Sequence, residues 1–169
     1  MMRVNPGNGE HTDLAPGVRF TTPTGVALDG NDNLLVTDAD IQGLASRLHR
    51  LDQGAAPRIL ATAKPPRAVY FGIAIEGTGK ILVVNNPNGP QRELLRFDPT
   101  NGAMAKVSSG NKLIAHSGVA VEANGQILVI DQVVGVVRID PNNGSQTVVS
   151  SGGHLAGATG GPTGLTVRR

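Results

Sequence analysis

The sequence contains no cysteine and no tryptophan, and only one tyrosine and three phenylalanines among its 169 residues. The absence of cysteine excludes a disulfide scaffold, a cysteine-ligated zinc module and a catalytic thiol. Neither sign of charge is in large excess, because the formal net charge is only +2, and the basic residues are scattered along the chain. We therefore expect neither a nucleic acid nor an anionic membrane surface as a partner.

Long apolar runs are missing as well. Residues 1–17 lack the apolar stretch of a secretory signal peptide, and no run approaches the length of a membrane span. We expect a soluble chain, and the lack of cysteine leaves its cellular compartment undetermined. What the sequence does hold is 23 glycines and 11 prolines in a chain that is 39% hydrophobic, a mixture typical of a turn-rich β protein.

A motif of about 46 residues is repeated along the chain. Its three full copies contain PTGVALDGNDNLLVTDAD, YFGIAIEGTGKILVVNNP and HSGVAVEANGQILVIDQV, and GPTGLTVRR begins a fourth. A second marker, an arginine followed by an apolar residue and Asp or Asn, recurs at Arg3–Asn5, Arg50–Asp52, Arg96–Asp98 and Arg138–Asp140. The period runs through the whole sequence, so we interpret residues 1–169 as a single repeat domain.

Each copy predicts four short antiparallel strands. An alternating first strand follows the glycine of the motif, a tight turn such as Asn124-Gly125 comes next, and the second strand is a continuous apolar run such as Ile127–Ile130. Such a run indicates burial on both faces. The third strand carries the arginine marker. Four strands in a repeat of this length predict the blade of a β-propeller, whose two faces are covered by its neighbours.

The motif from Gly25 to Asp38, its two copies and the Arg-x-Asp-Pro turns resemble the NHL repeat family. More broadly, they are similar to the six-bladed propellers that include gluconolactonase-like and streptogramin-lyase-like proteins. The resemblance covers nearly the whole chain and implies an all-β fold of four-stranded blades. It implies the architecture of a blade far more specifically than an activity.

The predicted domain has a part-blade over residues 1–22, repeats starting near residues 23, 70 and 116, and a final first strand over residues 162–169. Three complete repeats and most of a fourth would leave strand edges and an apolar blade face uncovered. We expect either a homo-oligomer that covers these surfaces or a chain that is part of a longer protein. A closed four-bladed monomer lacking one strand is the alternative.

A binding surface is expected at the rim where the long loops lie, because loops on a rigid scaffold carry function. Polar residues recur there at the end of each second strand, and the residue before the first-strand glycine lies beside them. The candidate binding residues at this channel mouth are Asp38, Asn85, Asp131, Thr24, Phe71, Ser117 and His116.

Two interpretations of the recurring acidic and amide residues remain open. They could form a ring of oxygen ligands for Ca²⁺ or Mg²⁺, or they could bond the following backbone and shape each loop, which the sequence favours. The resemblance implies metal ligands just before the first-strand glycine, usually Asn or Asp. Those positions hold Thr24, Phe71, Ser117 and Thr163 here, so we predict no metal ligand and no cofactor.

The titratable side chains predict no catalytic residue. Streptogramin-lyase-like enzymes use a histidine and an acidic partner near the channel, and His116 lies at the corresponding rim, but an isolated histidine beside a loop is typical of a solvated or structurally bonded side chain. The others are His11, His49 and His154. At the opposite rim, we interpret Asp29, Glu76 and Glu122 as solvated hairpin ends, and Arg50, Arg96 and Arg138 as structural.

The sequence thus favours a non-catalytic propeller-repeat scaffold or binding module that uses its loop-bearing rim and associates with itself. Its expected ligand is a protein, a peptide or a glycan, and the scarcity of aromatic residues weakens the case for a glycan. The alternative is a metal-assisted hydrolase or lyase of the gluconolactonase-like or streptogramin-lyase-like type.

Overall fold

The computed structural model describes residues 1–39, 45–53, 55–63, 69–86, 92–152 and 164–167, and every regular element among them is a β-strand. The strands are β1 (Met2–Val4), β2 (His11–Asp13), β3 (Pro23–Leu28), β4 (Leu34–Asp38), β5 (Arg47–Leu51), β6 (Arg58–Thr62), β7 (Tyr70–Ile75), β8 (Ile81–Asn85), β9 (Glu93–Phe97), β10 (Met104–Ser109), β11 (His116–Val121), β12 (Ile127–Asp131), β13 (Gly135–Ile139) and β14 (Gln146–Ser150). No helix able to span a membrane is found in these ranges.

The strands form one two-stranded and three four-stranded antiparallel sheets in simple sequence order. Strands β3–β6 make blade 1, β7–β10 make blade 2 and β11–β14 make blade 3, while β1 and β2 form an N-terminal half-blade. In each blade the first strand is innermost and pairs only with the second. This confirms the predicted all-β fold, a partial β-propeller of four-stranded blades.

The apolar run of β8 is buried on both faces because successive side chains of a strand point in opposite directions. Ile81 and Val83 belong to the core shared with blade 1, whereas Leu82 and Val84 belong to the core shared with blade 3. Blade 2 is therefore held by both of its neighbours. Burial of this apolar surface is the main force that holds the blades together.

The half-blade and the loop that follows it cover part of the outer face of blade 1. Ala15, Val36 and Leu51 form a small buried cluster there, against which Met1 and Phe20 pack. The cluster leaves the innermost strand of blade 1 uncovered on this side. On β3, the side chains of Val26 and Leu28 are 57% and 51% exposed.

The first-strand glycines allow neighbouring blades to approach closely. A Cβ atom at Gly72 would lie 2.6 Å from the carbonyl oxygen of Ser117 and 2.9 Å from the Cα of Gly118. At Gly25, it would lie 2.8 Å from the carbonyl oxygen of Phe71. Neither glycine has a positive φ, so the repeat requires glycine here for lack of space between adjacent backbones.

The turn after β3 differs from the predicted one. The hairpin turns of blades 2 and 3 place Gly79 and Gly125 in the left-handed region, as their sequences indicate. In blade 1 that conformation falls on Asp32, at φ 58°, and Gly30 stays outside it. The Asp29 carboxylate accepts hydrogen bonds from the backbone amides of Asn31 and Asn33 and so supports the turn.

Residues 164–167 reach the central channel without belonging to a strand. Leu165 and Val167 line a cavity of about 220 Å³ together with the innermost strands of the three blades. The rest of the predicted final first strand, residues 162–163 and 168–169, lies outside the described residues. None of the strand pairings found in the described residues joins this segment to β1.

Candidate functional site

The ends of the second strands and the beginnings of the first strands meet at one rim, which we call the loop rim. In the antiparallel register, Asp38 lies opposite Pro23, and Asp131 lies opposite His116. Asn85 lies opposite Tyr70 in the same way. The three recurring polar residues thus occupy equivalent places in the three blades.

Asp131 is completely buried and joins two loops of blade 3. Its Oδ2 accepts hydrogen bonds from the backbone amides of Ile114 and Ala115, at 2.6 and 2.7 Å. Its Oδ1 accepts from the amides of Val133 and Val134, at 2.9 and 3.1 Å. Four amide donors compensate for taking the carboxylate out of water, and they hold the loops before β11 and after β12 against one another.

Asp38 also binds backbone amides in blade 1, but it accepts two of them rather than four. Its two carboxylate oxygens accept from the amides of Thr21 and Thr22, at 3.0 and 2.7 Å, in the segment just before β3. The Nε2 atom of His49 lies 3.7 Å from Oδ2. Asp38 thus fastens the chain that enters blade 1 to the strand that ends beside it.

Asn85 makes a different arrangement in blade 2. Its Nδ2 donates a hydrogen bond to the carboxylate of Glu93 at 3.0 Å, and its buried Oδ1 has no hydrogen-bond partner. The entering segment is held instead by backbone bonds between Val69 and Asn86, which run in both directions. The Nδ2 of Asn86 adds a bond to the carbonyl oxygen of His116 in blade 3, at 2.9 Å.

The residues before the first-strand glycines lie at a bulge where the pairing with the second strand shifts. The hydroxyl of Thr24 donates to the carbonyl oxygen of Tyr70 at 2.8 Å, and Thr37 donates to that of Phe71 at 2.6 Å. These bonds connect blade 1 to blade 2. Ser117 has its carbonyl against Gly72, while Thr163 lies outside the described residues.

His116 is buried rather than solvated, at the junction of blades 2 and 3. Its Nε2 lies 3.0 Å from the carbonyl oxygen of Glu93, and its Nδ1 has no hydrogen-bond partner. Burial lowers the pKa of His116 below its usual value, against the opposing effect of Asp131. Burial likewise lowers the pKa of His49. His154 lies outside the described residues.

The geometry of the loop rim gives little support to a cation site. The carboxylate oxygens of Asp38 and Asp131 already accept backbone amides, and Thr24, Phe71 and Ser117 bring no carboxylate to the mouth. No group of three or more His, Asp or Glu side chains suited to a metal occurs in the described part of the chain. The described residues therefore do not fit the metal that the gluconolactonase-like resemblance implies.

At the opposite rim, which we call the turn rim, acidic and basic residues of the repeat pair with each other. The guanidinium of Arg96 binds the carboxylate of Glu76 through two hydrogen bonds of 2.7 and 2.6 Å. Arg138 binds Glu122 in the same way, and Arg50 lies 3.0 Å from Asp29. These acidic hairpin ends are thus paired with arginines rather than only solvated, and the recurrence of both sets in the full copies of the motif is the sequence signal for this pairing.

The comparisons with known proteins identify the fold. No family model and no curated protein matches the sequence. A chain of the nidogen/laminin complex is similar, with a TM-score of 0.77 and 19% identity over 99% of this chain and 60% of that one. A gluconolactonase from Xanthomonas campestris has a TM-score of 0.67 and 17% identity, over 86% of this chain and 52% of that one.

An oligogalacturonate lyase in complex with manganese is also similar, with a TM-score of 0.63 and 18% identity over 89% of this chain and 41% of its own. This chain therefore spans about 60% or less of the length of these solved proteins. At such identities the likeness shows the propeller fold alone, and the finer resemblance to NHL repeats stays a prediction.

Proposed function

We propose that this chain is a non-catalytic propeller-repeat binding module that takes a protein or peptide partner at the loop rim. The observation that carries the proposal is that the carboxylates at the loop rim are used to bind backbone amides. Asp38 and Asp131 are buried and hydrogen-bonded to backbone amides, so their chemistry holds loops in place. A rim whose loops are fastened to a rigid scaffold suits recognition of a partner surface.

Photo-crosslinking tests which rim binds. A benzophenone amino acid is placed at Thr21 on the loop rim and, as the matched control, at Thr78 on the turn rim, since both residues are exposed. After irradiation in a lysate, we expect discrete protein adducts from the Thr21 position only. Equal adducts from both positions, or adducts from Thr78 alone, would contradict the proposal.

Metal analysis tests the alternative, a metal-assisted hydrolase or lyase. We expect the purified protein to hold substoichiometric Ca²⁺, Mg²⁺ and Mn²⁺, with no change in melting temperature when these ions are added. Asn85 Oδ1 is the buried rim oxygen at the recurring polar position that is available to a cation, because it has no hydrogen-bond partner; Asn86 Oδ1, next to it, has none either. Stoichiometric metal that is lost in Asn85→Ala would overturn the non-catalytic proposal.

Self-association is a second part of the proposal. It is supported by Val26 and Leu28, which stay exposed on the uncovered side of blade 1, and by Met2 and Val4 on the half-blade, which are exposed as well. We expect a second copy of the chain to cover this surface. Sedimentation at increasing concentration should show an oligomer that Leu28→Asp dissociates, and a monomer at high concentration would rule this out.

A further inference from the structure

Two exposed residues with branched apolar side chains are brought together through their backbones on the loop rim of blade 3. Ile114 is 46% exposed and Val133 is 52% exposed. Their backbone amides bind the two oxygens of a single carboxylate, that of Asp131, at 2.6 and 2.9 Å. The backbones of both residues are therefore fixed by the same side chain, and we call these residues the Ile114–Val133 pair.

The loop that carries Ile114 is anchored by a buried neighbour and by hydrogen bonds from Gln146. The adjacent Leu113 is buried in the core between blades 2 and 3. The side chain of Gln146 accepts a hydrogen bond from the amide of Lys112 and donates to the carbonyl oxygen of Gly110. A loop held in this way loses little conformational entropy when a partner binds.

The apolar character of the pair is not needed for the fold of the loops. The carboxylate of Asp131 contacts only backbone amides there, so it places no demand on the side chains. In blade 1 the same repeat positions hold Thr21 and Asp40, both polar. Two exposed aliphatic side chains in place of polar ones indicate a contact surface.

Two basic residues, Arg92 and Lys112, lie near Ile114. The guanidinium of Arg92 donates from Nε to the carbonyl oxygen of Ile114 at 3.1 Å. Lys112 precedes Ile114 by two residues and forms no ion pair with any described residue. Of the acids near these residues, Asp131 is buried and binds backbone amides, and Glu93, next to Arg92, accepts a hydrogen bond from Asn85 and lies 3.9 Å from Lys106. This combination complements a segment that carries apolar and acidic side chains together.

We propose that the Ile114–Val133 pair is the docking point for a peptide segment of a partner protein in which an apolar side chain lies beside Asp or Glu. The apolar side chain packs on Ile114 and Val133, and its acidic neighbours face Arg92 and Lys112. This inference rests on the proposed binding function of the loop rim and specifies the chemistry of its partner.

The test uses a library of short random peptides displayed on phage and selected against the immobilised chain. We expect enriched sequences in which Leu, Ile or Phe lies within a few positions of Asp or Glu. A synthetic peptide from this set should bind about tenfold more weakly to the double variant Ile114→Thr, Val133→Asp. That variant carries the residues of blade 1 and keeps every amide that Asp131 binds.

Met104→Asp serves as the matched control, because Met104 is an exposed apolar residue on the outer strand β10. It should leave the affinity unchanged, and circular dichroism checks that all variants fold. Raising the salt concentration should weaken the wild-type complex, as expected for the contribution of Arg92 and Lys112.

Three outcomes would overturn the inference. The first is enrichment of peptides without acidic residues, and the second is equal binding to the double variant and the wild type. If peptides with either result still crosslink to the benzophenone at position 21, they bind elsewhere on the loop rim and the proposed function stands. The third is loss of self-association in the double variant, which would show that a second copy of the chain covers the pair.

Discussion

Blades 2 and 3 hold their segments at the loop rim in different ways, although the two side chains concerned, Asn85 and Asp131, differ by one functional group. In blade 3, Asp131 accepts four backbone amides and holds two loops. In blade 2, Asn85 has one acceptor oxygen, leaves it without a partner, and turns its amide to Glu93. The entering segment of blade 2 is closed by backbone bonds instead.

The difference shows that the repeat fixes where a polar side chain lies without fixing what it does. A carboxylate has two oxygens that can each accept two donors, whereas a carboxamide has one such oxygen and one donor group. A carboxylate can therefore accept four amides from two loops, as Asp131 does, whereas a carboxamide can accept two at most. The blades with Asp38 and Asp131 are therefore the ones whose side chains hold the rim.

The largest effect is expected from Asp131→Asn. The variant keeps one acceptor oxygen and directs an NH₂ group at amides that need an acceptor, all in a buried site. We expect a loss of about 3 kcal/mol in the free energy of unfolding, measured by urea denaturation.

The reciprocal variant Asn85→Asp is the matched control. It would remove the single bond that Asn85 donates to Glu93 and bring two carboxylates together, at an expected loss of about 1 to 2 kcal/mol. Equal losses in the two variants would mean that the number of amides held by the side chain does not decide its contribution.

Asp38→Asn should fall between these two. Asp38 accepts one amide on each oxygen, so the variant loses one good acceptor where Asp131→Asn loses the site for two donors. We expect a loss of about 2 kcal/mol in the same denaturation experiment. A loss as large as that of Asp131→Asn would contradict the ranking by number of donors.

A smaller effect is expected from pH, because a buried histidine lies near each carboxylate that holds the rim. Burial lowers the pKa of His49 and of His116, so the unfolded chain binds these protons first. The free energy of unfolding should be constant above pH of about 6.5 and fall below it, by at most about 1.4 kcal/mol per pH unit for each histidine.

Denaturation midpoints measured between neutral pH and the pH at which carboxylates begin to titrate would check this. His116→Gln should flatten the dependence, because an amide does not take up the proton. A stability that stays level as the pH falls through this range, or a dependence unchanged in His116→Gln, would contradict the prediction.

The smallest effect is expected at the turn rim, where ion pairs are partly solvated. Arg96→Lys replaces a two-bonded contact with Glu76 by a point charge and removes the bond to the carbonyl oxygen of Pro141. We expect a loss of less than about 1 kcal/mol. A loss comparable with that of Asp131→Asn would show that the turn rim, and not the loop rim, holds the blades.

Much of the fold could be predicted because it follows from local patterns. The 46-residue period, the alternating first strands and the doubly buried second strands each report on the side chains of one blade and its neighbours. The equivalent positions of Asp38, Asn85 and Asp131 could be located for the same reason.

The partners of these residues could not be predicted in the same way. The amides bound by Asp131 include Ile114 and Ala115, which lie 17 and 16 residues earlier in the chain and meet it only once the hairpin of β11 and β12 has formed. The burial of His116 also depends on a neighbouring blade. Long-range contacts of this kind leave no local pattern in the sequence.

The alternation along β8 has a consequence for how such a chain can grow. Its odd-numbered residues match the blade before it and its even-numbered residues match the blade after it. A tandem duplication of blade 2 would therefore place the face that now packs on blade 3 against the face that now packs on blade 1, without any new side chain. The pattern of each blade is thus already suited to the addition of another blade.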